Sequence, residues 1–234
     1  LNTRTYVISG ASRGIGFELV KQLLAGDVRV AACVRDPSKA EELRALAKAY
    51  PEKLFILPLD VRSDESAHQL ALSLPRDAGF DRIDVLINNA GVYLDSDMPF
   101  SRLESQVLQN SFDTNTIGPM RLTKALLPLL KRSSHPKVMN ISSIMGSITE
   151  TSGSSYAYRM SKAALNMFTK CLAGDEKQLT VFSLHPGWVK TAMGGAGAMI
   201  TPEKSAKGLL EVIGKSNQSQ SGKFFDYTGK EIGW

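Results

Sequence analysis

The segment "SSYAYRMSK", residues 154–162, sets two tyrosines ahead of one lysine at the start of a helical pattern. Tyr158 and Lys162 are four apart, so on a helix they share a face, roughly 40° apart around the axis. Tyr156 is six from Lys162, roughly 120° round, and points elsewhere. A lysine cation stabilises a neighbouring phenolate and lowers its pKa, which would make Tyr158 a proton donor near neutral pH. A Tyr-x-x-x-Lys pattern also arises as a plain solvated i, i+4 pair. The elements that position these residues decide between the two readings.

Strand-like and helix-like patterns alternate along the chain. Strands are expected at 4–10, 28–34, 53–61 (interrupted by Pro58), 82–91, 137–143, 179–187 and 222–227. Helices are expected at 14–26, 37–50, 63–74, 156–173 and 201–216, with a long helical stretch over 102–133 that bends or restarts at Gly118-Pro119. The strands are apolar on both faces, as a buried parallel sheet requires. The expected fold is α/β, a Rossmann-type doubly wound parallel sheet of about seven strands, as a single domain over 1–234. No linker or internal repeat divides it.

"SGASRGIG" (9–16) joins the first strand to the first helix. Gly10, Gly14 and Gly16 leave the backbone bare for a diphosphate, and the helix start offers free N–H groups and partial positive charge. A tight strand-to-helix turn alone would also use glycine, but this turn has the α/β context a nucleotide site needs. The end of the second strand selects the nucleotide. The acidic residue of an NAD-type site would fall near Val34, which accepts no hydrogen bond; Arg35 follows, and Arg13 lies in the turn. Two arginines suit a ribose 2′-phosphate, so NADP(H) is the expected cofactor. Asp36 could serve as the acidic residue in a shifted register.

Composition narrows the function classes. The net charge of +5 is dispersed, with no basic run interleaved with aromatics, so a nucleic-acid partner is not expected. No apolar run reaches transmembrane length and no signal peptide pattern opens the sequence. Cys33 and Cys171 lie far apart in apolar surroundings and read as buried free thiols, which suits a cytoplasmic protein. No Cys, His, Asp or Glu cluster suggests a metal.

These motifs together resemble the short-chain dehydrogenase/reductase family along nearly the full chain. "SGASRGIG" resembles the family's TGxxxGxG turn, with Ser9 in place of threonine. "LDV" (59–61) resembles the segment whose aspartate, here Asp60, contacts adenine. "NNAG" (88–91), "NISS" (140–143), "YRMSK" (158–162) and "HPGWVKT" (185–191) match further motifs, and Asn115 in "DTNTIG" falls on the asparagine of the catalytic tetrad. "CVRDP", "YAYRMSKAALNM" and the ending "SGKFFDYTGKEIGW" resemble the C-factor and sniffer-type carbonyl reductase branch. Ser143 and Tyr158 stand fifteen apart, two more than usual in the family; the extra residues fall in the polar stretch "GSITETSGSS". Ser142 competes with Ser143 for the serine role.

The resemblance implies an NADPH-dependent reductase of a small-molecule ketone, aldehyde or quinone. Tyr158 would donate the proton, Ser143 would hold the substrate oxygen, Lys162 would hold the nicotinamide ribose, and Asn115 would bind a water linking Lys162 to solvent. It implies cofactor contacts from Gly10, Ser12, Arg13, Gly14, Ile15, Gly16, Arg35, Asp60, Val61, Asn89, Ala90, Gly91, Pro186, Gly187, Val189 and Thr191. It also implies a homodimer or homotetramer through the helices at about 100–132 and 156–173. Alternatives are an NAD-linked alcohol dehydrogenase, or a C-factor-like nucleotide-binding signalling protein. Trp188, Tyr93 and Met193 are candidate substrate walls; Tyr156 is expected in packing, His185 in a structural role, and His68 and His135 at the surface. "TAMGGAGAMITPEK" (191–204), rich in glycine and methionine, reads as a lid over the opening.

Overall fold

The β-branched, apolar run Arg4–Ser9 forms β1, and six like it follow: β2 (Val28–Val34), β3 (Leu54–Pro58), β4 (Val85–Asn88), β5 (Lys137–Ile141), β6 (Thr180–His185) and β7 (Phe224–Asp226). They come from a computed structural model that describes residues 3–195 and 197–234. All seven pair in parallel, in the order β3-β2-β1-β4-β5-β6-β7. The helices are α1 (Gly14–Leu23), α2 (Glu41–Ala49), α3 (Asp64–Ala78), α4 (Ser105–Phe112), α5 (Gly118–Leu130), α6 (Tyr156–Asp175) and α7 (Pro202–Lys215).

Alternation along each strand sends neighbours into different cores. Ile8 joins Leu19 of α1, Leu43 of α2 and Leu209 of α7 on one side. Val7 joins Leu70 of α3, Leu126 of α5 and Ala173 of α6 on the other. The doubly wound sheet is therefore as expected. β1 and β4 are neighbours where the strand order reverses, so the crevice for a ligand opens at their carboxyl ends.

Several boundaries differ from the sequence expectation for local reasons. α3 runs through Pro75 to Ala78, where Gly79 at φ 60° closes it; a proline in the last turns removes only one backbone bond. The 37–50 helix divides into a 3-10 turn (Pro37–Lys39) and α2. β3 ends on Pro58, which the sheet edge tolerates because it needs no ladder donor there. The long helical stretch breaks at a π-turn, Asp113–Ile117, between α4 and α5. Pro119 has no N–H to close the helical bond back onto the carbonyl of Asn115, so the proline explains the irregular turn around that residue.

A buried polar ladder crosses beneath the crevice. Asn88 donates to Thr123 and to Asn140; Asn140 donates to Thr169; Thr169 meets Ser183 at 2.9 Å. It fixes β4, β5 and β6 to α5 and α6 directly below the site.

Candidate active site

The glycine turn is held by packing before any ligand is considered. Gly10 has φ +66°, and a Cβ there would lie 2.8 Å from the Cα of Ala90. A Cβ at Gly16 would lie 2.4 Å from the carbonyl oxygen of Gly10 and 2.5 Å from Nδ2 of Asn89. These two glycines let the turn seat on the end of β4, a reason separate from diphosphate approach. The Ser9 hydroxyl accepts from the Asn89 and Ala90 N–H groups, and Asn89 donates to the carbonyls of Ser9 and Gly10. Asn89 thus ties β1 to β4.

A cleft of about 560 Å³ runs from this turn across the sheet's carboxyl edge to Tyr158 and Lys162. Gly10, Ser12, Arg13, Gly14, Ile15, Gly16, Arg35, Asp60, Val61, Asn89, Ala90, Gly91, Pro186 and Thr191 all line it. Gly187, Val189, Asn115 and Ser143 stand outside its lining. Gly187 packs instead, since a Cβ there would meet Ile200 at 2.4 Å. Arg62, Lys190 and Met193 line the cleft without having been singled out as cofactor contacts. Arg62 was recognisable only as a cation two residues past Asp60; in the fold it grips both carboxylate oxygens of Asp60, at 3.3 and 3.2 Å. Asp36 is engaged locally, accepting from Ser38 and pairing with Lys39. It stands outside the cleft lining.

The cleft fits a dinucleotide. A bare helix start with Ser12 and Gly14, the Arg13 and Arg35 side chains, and the Tyr158–Lys162 pair all line it.

Tyr158 and Lys162 do share a face of α6, and both side chains are buried. The expectation that Lys162 lowers the Tyr158 pKa is corrected. Burial pushes the phenol up to about 12, only partly opposed by a hydrogen bond from Ser143. Burial likewise brings Lys162 down to about 8, while its Nζ donates to the Ile141 carbonyl at 2.8 Å and lies 5.7 Å from the Tyr158 ring centre. Tyr93, whose ring centre is 4.5 Å from that of Tyr158, adds to the rise. Tyr158 therefore keeps its proton across the neutral range. Ser143, not Ser142, stands beside the phenol and opposes that rise; the Ser143 hydroxyl accepts from the Met145 N–H at 3.2 Å, while the Ser142 hydroxyl turns to the Lys162 carbonyl at 3.5 Å.

Asn115 is fully buried in the π-turn. Its amide exchanges hydrogen bonds with the backbone of Val92 and donates to Ser161 on α6. The side chain is thus occupied in tying β4's exit loop to α6.

Other expectations are settled by burial. Cys33 is buried but Cys171 is exposed, because Cys171 falls on the solvent face of α6. Among the described residues no group of three or more His, Cys, Asp or Glu could hold a metal, and no helix is long and apolar enough to cross a membrane. Trp188 is exposed, and its indole donates to Gly194. The 191–200 loop is less free than its glycines suggest. Met199 and Ile200 bond back to Trp188, and a Cβ at Gly194 would lie 2.0 Å from the Val189 carbonyl. Ala196, within that expected lid, lies outside the described residues.

His185 is half-buried at the end of β6, and its covered Nδ1 has no partner among the described residues. Burial drops its pKa to about 4, against a smaller opposing pull from Asp226. The unfolded chain takes up this proton near pH 6.5 and the folded chain refuses it. Its contribution is complete above about 6.5 and is lost as pH falls towards 4. We expect the melting temperature to drop through that window and His185→Asn to flatten the drop; an unchanged slope in that variant contradicts this.

The profile of the family described as short chain dehydrogenase matches residues 4–198. The chain is 44% identical to the C-signal protein of Myxococcus xanthus over 65% of this chain and 93% of that one. It is 36% identical to the short chain dehydrogenase gsfK of Penicillium aethiopicum, over 98% and 99%. Among solved structures, the NADPH-bound carbonyl reductase from chicken fatty liver superposes with a TM-score of 0.93 at 35% identity, each chain fully covered. The carbonyl reductase Sniffer of D. melanogaster gives 0.92 at 34%, again with full coverage.

Proposed function

The chain belongs to the short chain dehydrogenase family, and on that premise we propose that it reduces a small-molecule carbonyl compound with NADPH. The observation that carries this reading is one continuous cleft lined by Arg13 and Arg35 as well as by Tyr158 and Lys162.

When bound, a reduced nicotinamide supplies a hydride to the carbonyl carbon. The protein's residues do the rest. Gly10 to Gly16 would receive the diphosphate at the start of α1, Arg13 and Arg35 the 2′-phosphate, and Asp60 and Val61 the adenine. Asn89, Ala90, Gly91, Pro186, Gly187, Val189 and Thr191 would form the remaining walls, with Gly187 and Val189 acting by packing behind them. Lys162 would release the Ile141 carbonyl to hold the ribose. Ser143 would hold the substrate oxygen as charge builds on it. Tyr158, neutral because it is buried, would give its proton to that oxygen, since an alkoxide is a far stronger base than a phenolate. Asn115 would keep the π-turn open beside Lys162.

The reading is tested by following NADPH absorbance in the near ultraviolet against diketones, quinones and aldehydes. Turnover of at least one class with formation of the alcohol is expected. No turnover with any of them, despite NADPH binding, would favour the nucleotide-binding signalling alternative. The likeness to C-signal keeps that alternative in view; the intact Asn115, Ser143, Tyr158 and Lys162 set favours chemistry. An NAD-linked dehydrogenase is disfavoured by Val34 and Arg35.

We also read the chain as a cytoplasmic homodimer or homotetramer. Support for assembly comes from Ile117 and Met120 on and before α5, and Met160 and Met167 on α6, which expose apolar surface. Sedimentation as a monomer at micromolar concentration would remove that reading.

A further inference from the structure

Helix α6 carries Tyr158 in its first turn, yet its own entry cannot cap it. Ser154 and Ser155 both adopt left-handed backbone, at φ 60° and 48°, and Ser155 makes no side-chain hydrogen bond to the helix start. Such φ values are strained for serine. They close the 144–155 segment, the same stretch that is two residues longer than usual between Ser143 and Tyr158. The first N–H groups of α6 would be left buried without partners.

A residue far away in sequence supplies them. Asp95, on the loop after β4, is 1% exposed. Its carboxylate accepts from the Ala157 N–H at 2.7 Å and from the Tyr158 N–H at 3.2 Å. A buried carboxylate is costly unless so bonded. Two residues earlier, the Tyr93 hydroxyl meets the Ser155 hydroxyl at 2.6 Å, and the Tyr93 ring lies against the Tyr158 ring. On the other side, the Tyr158 carbonyl accepts from Ser161, whose hydroxyl in turn receives Asn115. Both ends of the Tyr158 residue are thereby clamped.

We propose that Asp95 is a positioning residue for the reaction: its buried carboxylate, replacing the missing cap of α6, fixes the Tyr158 backbone so that the phenol meets Ser143 and the substrate oxygen. Tyr93 reinforces it by bracing Ser155 and covering the phenol. This rests on the reading of Tyr158 as proton donor. Asp95 touches neither substrate nor cofactor; it acts through Tyr158 alone.

The test compares Asp95→Ala, Asp95→Asn and Tyr158→Phe with the unaltered chain, with kcat counted per NADPH-binding site so that unfolded protein drops out. Asp95→Ala is expected to lower kcat about tenfold, since displacement of a reacting group by a fraction of an ångström is enough for that. NADPH affinity should hold. The solvent deuterium isotope effect on kcat should rise as proton delivery becomes limiting, a change that mere loss of stability does not produce. Asp95→Asn keeps one acceptor for the two N–H groups and should recover part of the lost rate. If the alanine chain does not fold, the asparagine chain carries the test through a severalfold lower kcat and a raised isotope effect. Unchanged kcat and isotope effect in the variants that fold, or an asparagine variant no better than a folded alanine one, overturns the proposal. If Tyr158→Phe keeps its turnover, the donor assignment has failed instead; an inactive Tyr158→Phe beside a normal Asp95→Ala removes the Asp95 role alone.

Discussion

Tyr158→Phe should lower kcat by roughly 10²–10⁴ while NADPH still binds, because it removes a positioned proton donor and almost nothing else. The ring stays, so packing against Tyr93 survives. Lys162 keeps its bond to the Ile141 carbonyl, so the lysine's side of the cleft is undisturbed. Tyr156→Phe is the matched control. Tyr156 opens α6, is partly exposed, and packs its ring 4.9 Å from that of Phe100. Its hydroxyl has no place in the Tyr158–Ser143–Lys162 cluster, and its loss should leave kcat near that of the unaltered chain. A Tyr158→Phe chain with near-normal turnover beside an inactive Tyr156→Phe chain would reverse the assignment.

The second large effect is on cofactor choice. Arg13 and Arg35 line the cleft on the β2 side, and Val34 leaves no acceptor for a ribose hydroxyl where an NAD site has one. The nearby carboxylates are taken, Asp36 by Lys39 and Asp60 by Arg62. A charge-assisted hydrogen bond contributes about 1.5–3 kcal/mol, so each arginine should supply roughly tenfold preference for the phosphorylated cofactor. Arg13→Ala with Arg35→Ala should therefore cut the ratio of kcat/KM for NADPH over NADH by roughly 10². NADH itself should be used about as before. Equal losses for both cofactors would show that the two guanidiniums do not reach the 2′-phosphate, and would turn attention to Arg62 and Lys190.

Local patterns made the sheet and most of the site legible. Seven apolar runs, the first six each followed by a helical period, specify a doubly wound sheet almost regardless of detail, and the four-residue spacing places Tyr158 and Lys162 on one face. What escaped depends on distance in the chain or on burial. Asp95 caps a helix that begins 61 residues later, and no local pattern reports that partnership. The effect of Lys162 on Tyr158 was misjudged because helical spacing gives proximity but not desolvation. Here desolvation dominates the shift of both groups. Cys171 looked buried because its neighbours are apolar, yet it lies on the outer side of α6. Sequence suggests bareness at Gly10 and Gly16 and freedom at Gly194; three-dimensional contacts show each filling a space with no room for a Cβ.

The central claim is that one cleft brings reduced nicotinamide and a carbonyl to Tyr158. A single turnover with NADPH deuterated at the transferring position of nicotinamide C4, using a ketone or aldehyde found by the absorbance screen, tests it most directly. The account predicts one deuterium on the carbinol carbon of the alcohol, a solvent-derived proton on its oxygen, and a matching loss of NADPH. In the Tyr158→Phe chain the same product should form, far more slowly. Alcohol free of deuterium, or NADPH consumed without alcohol, would contradict the claim.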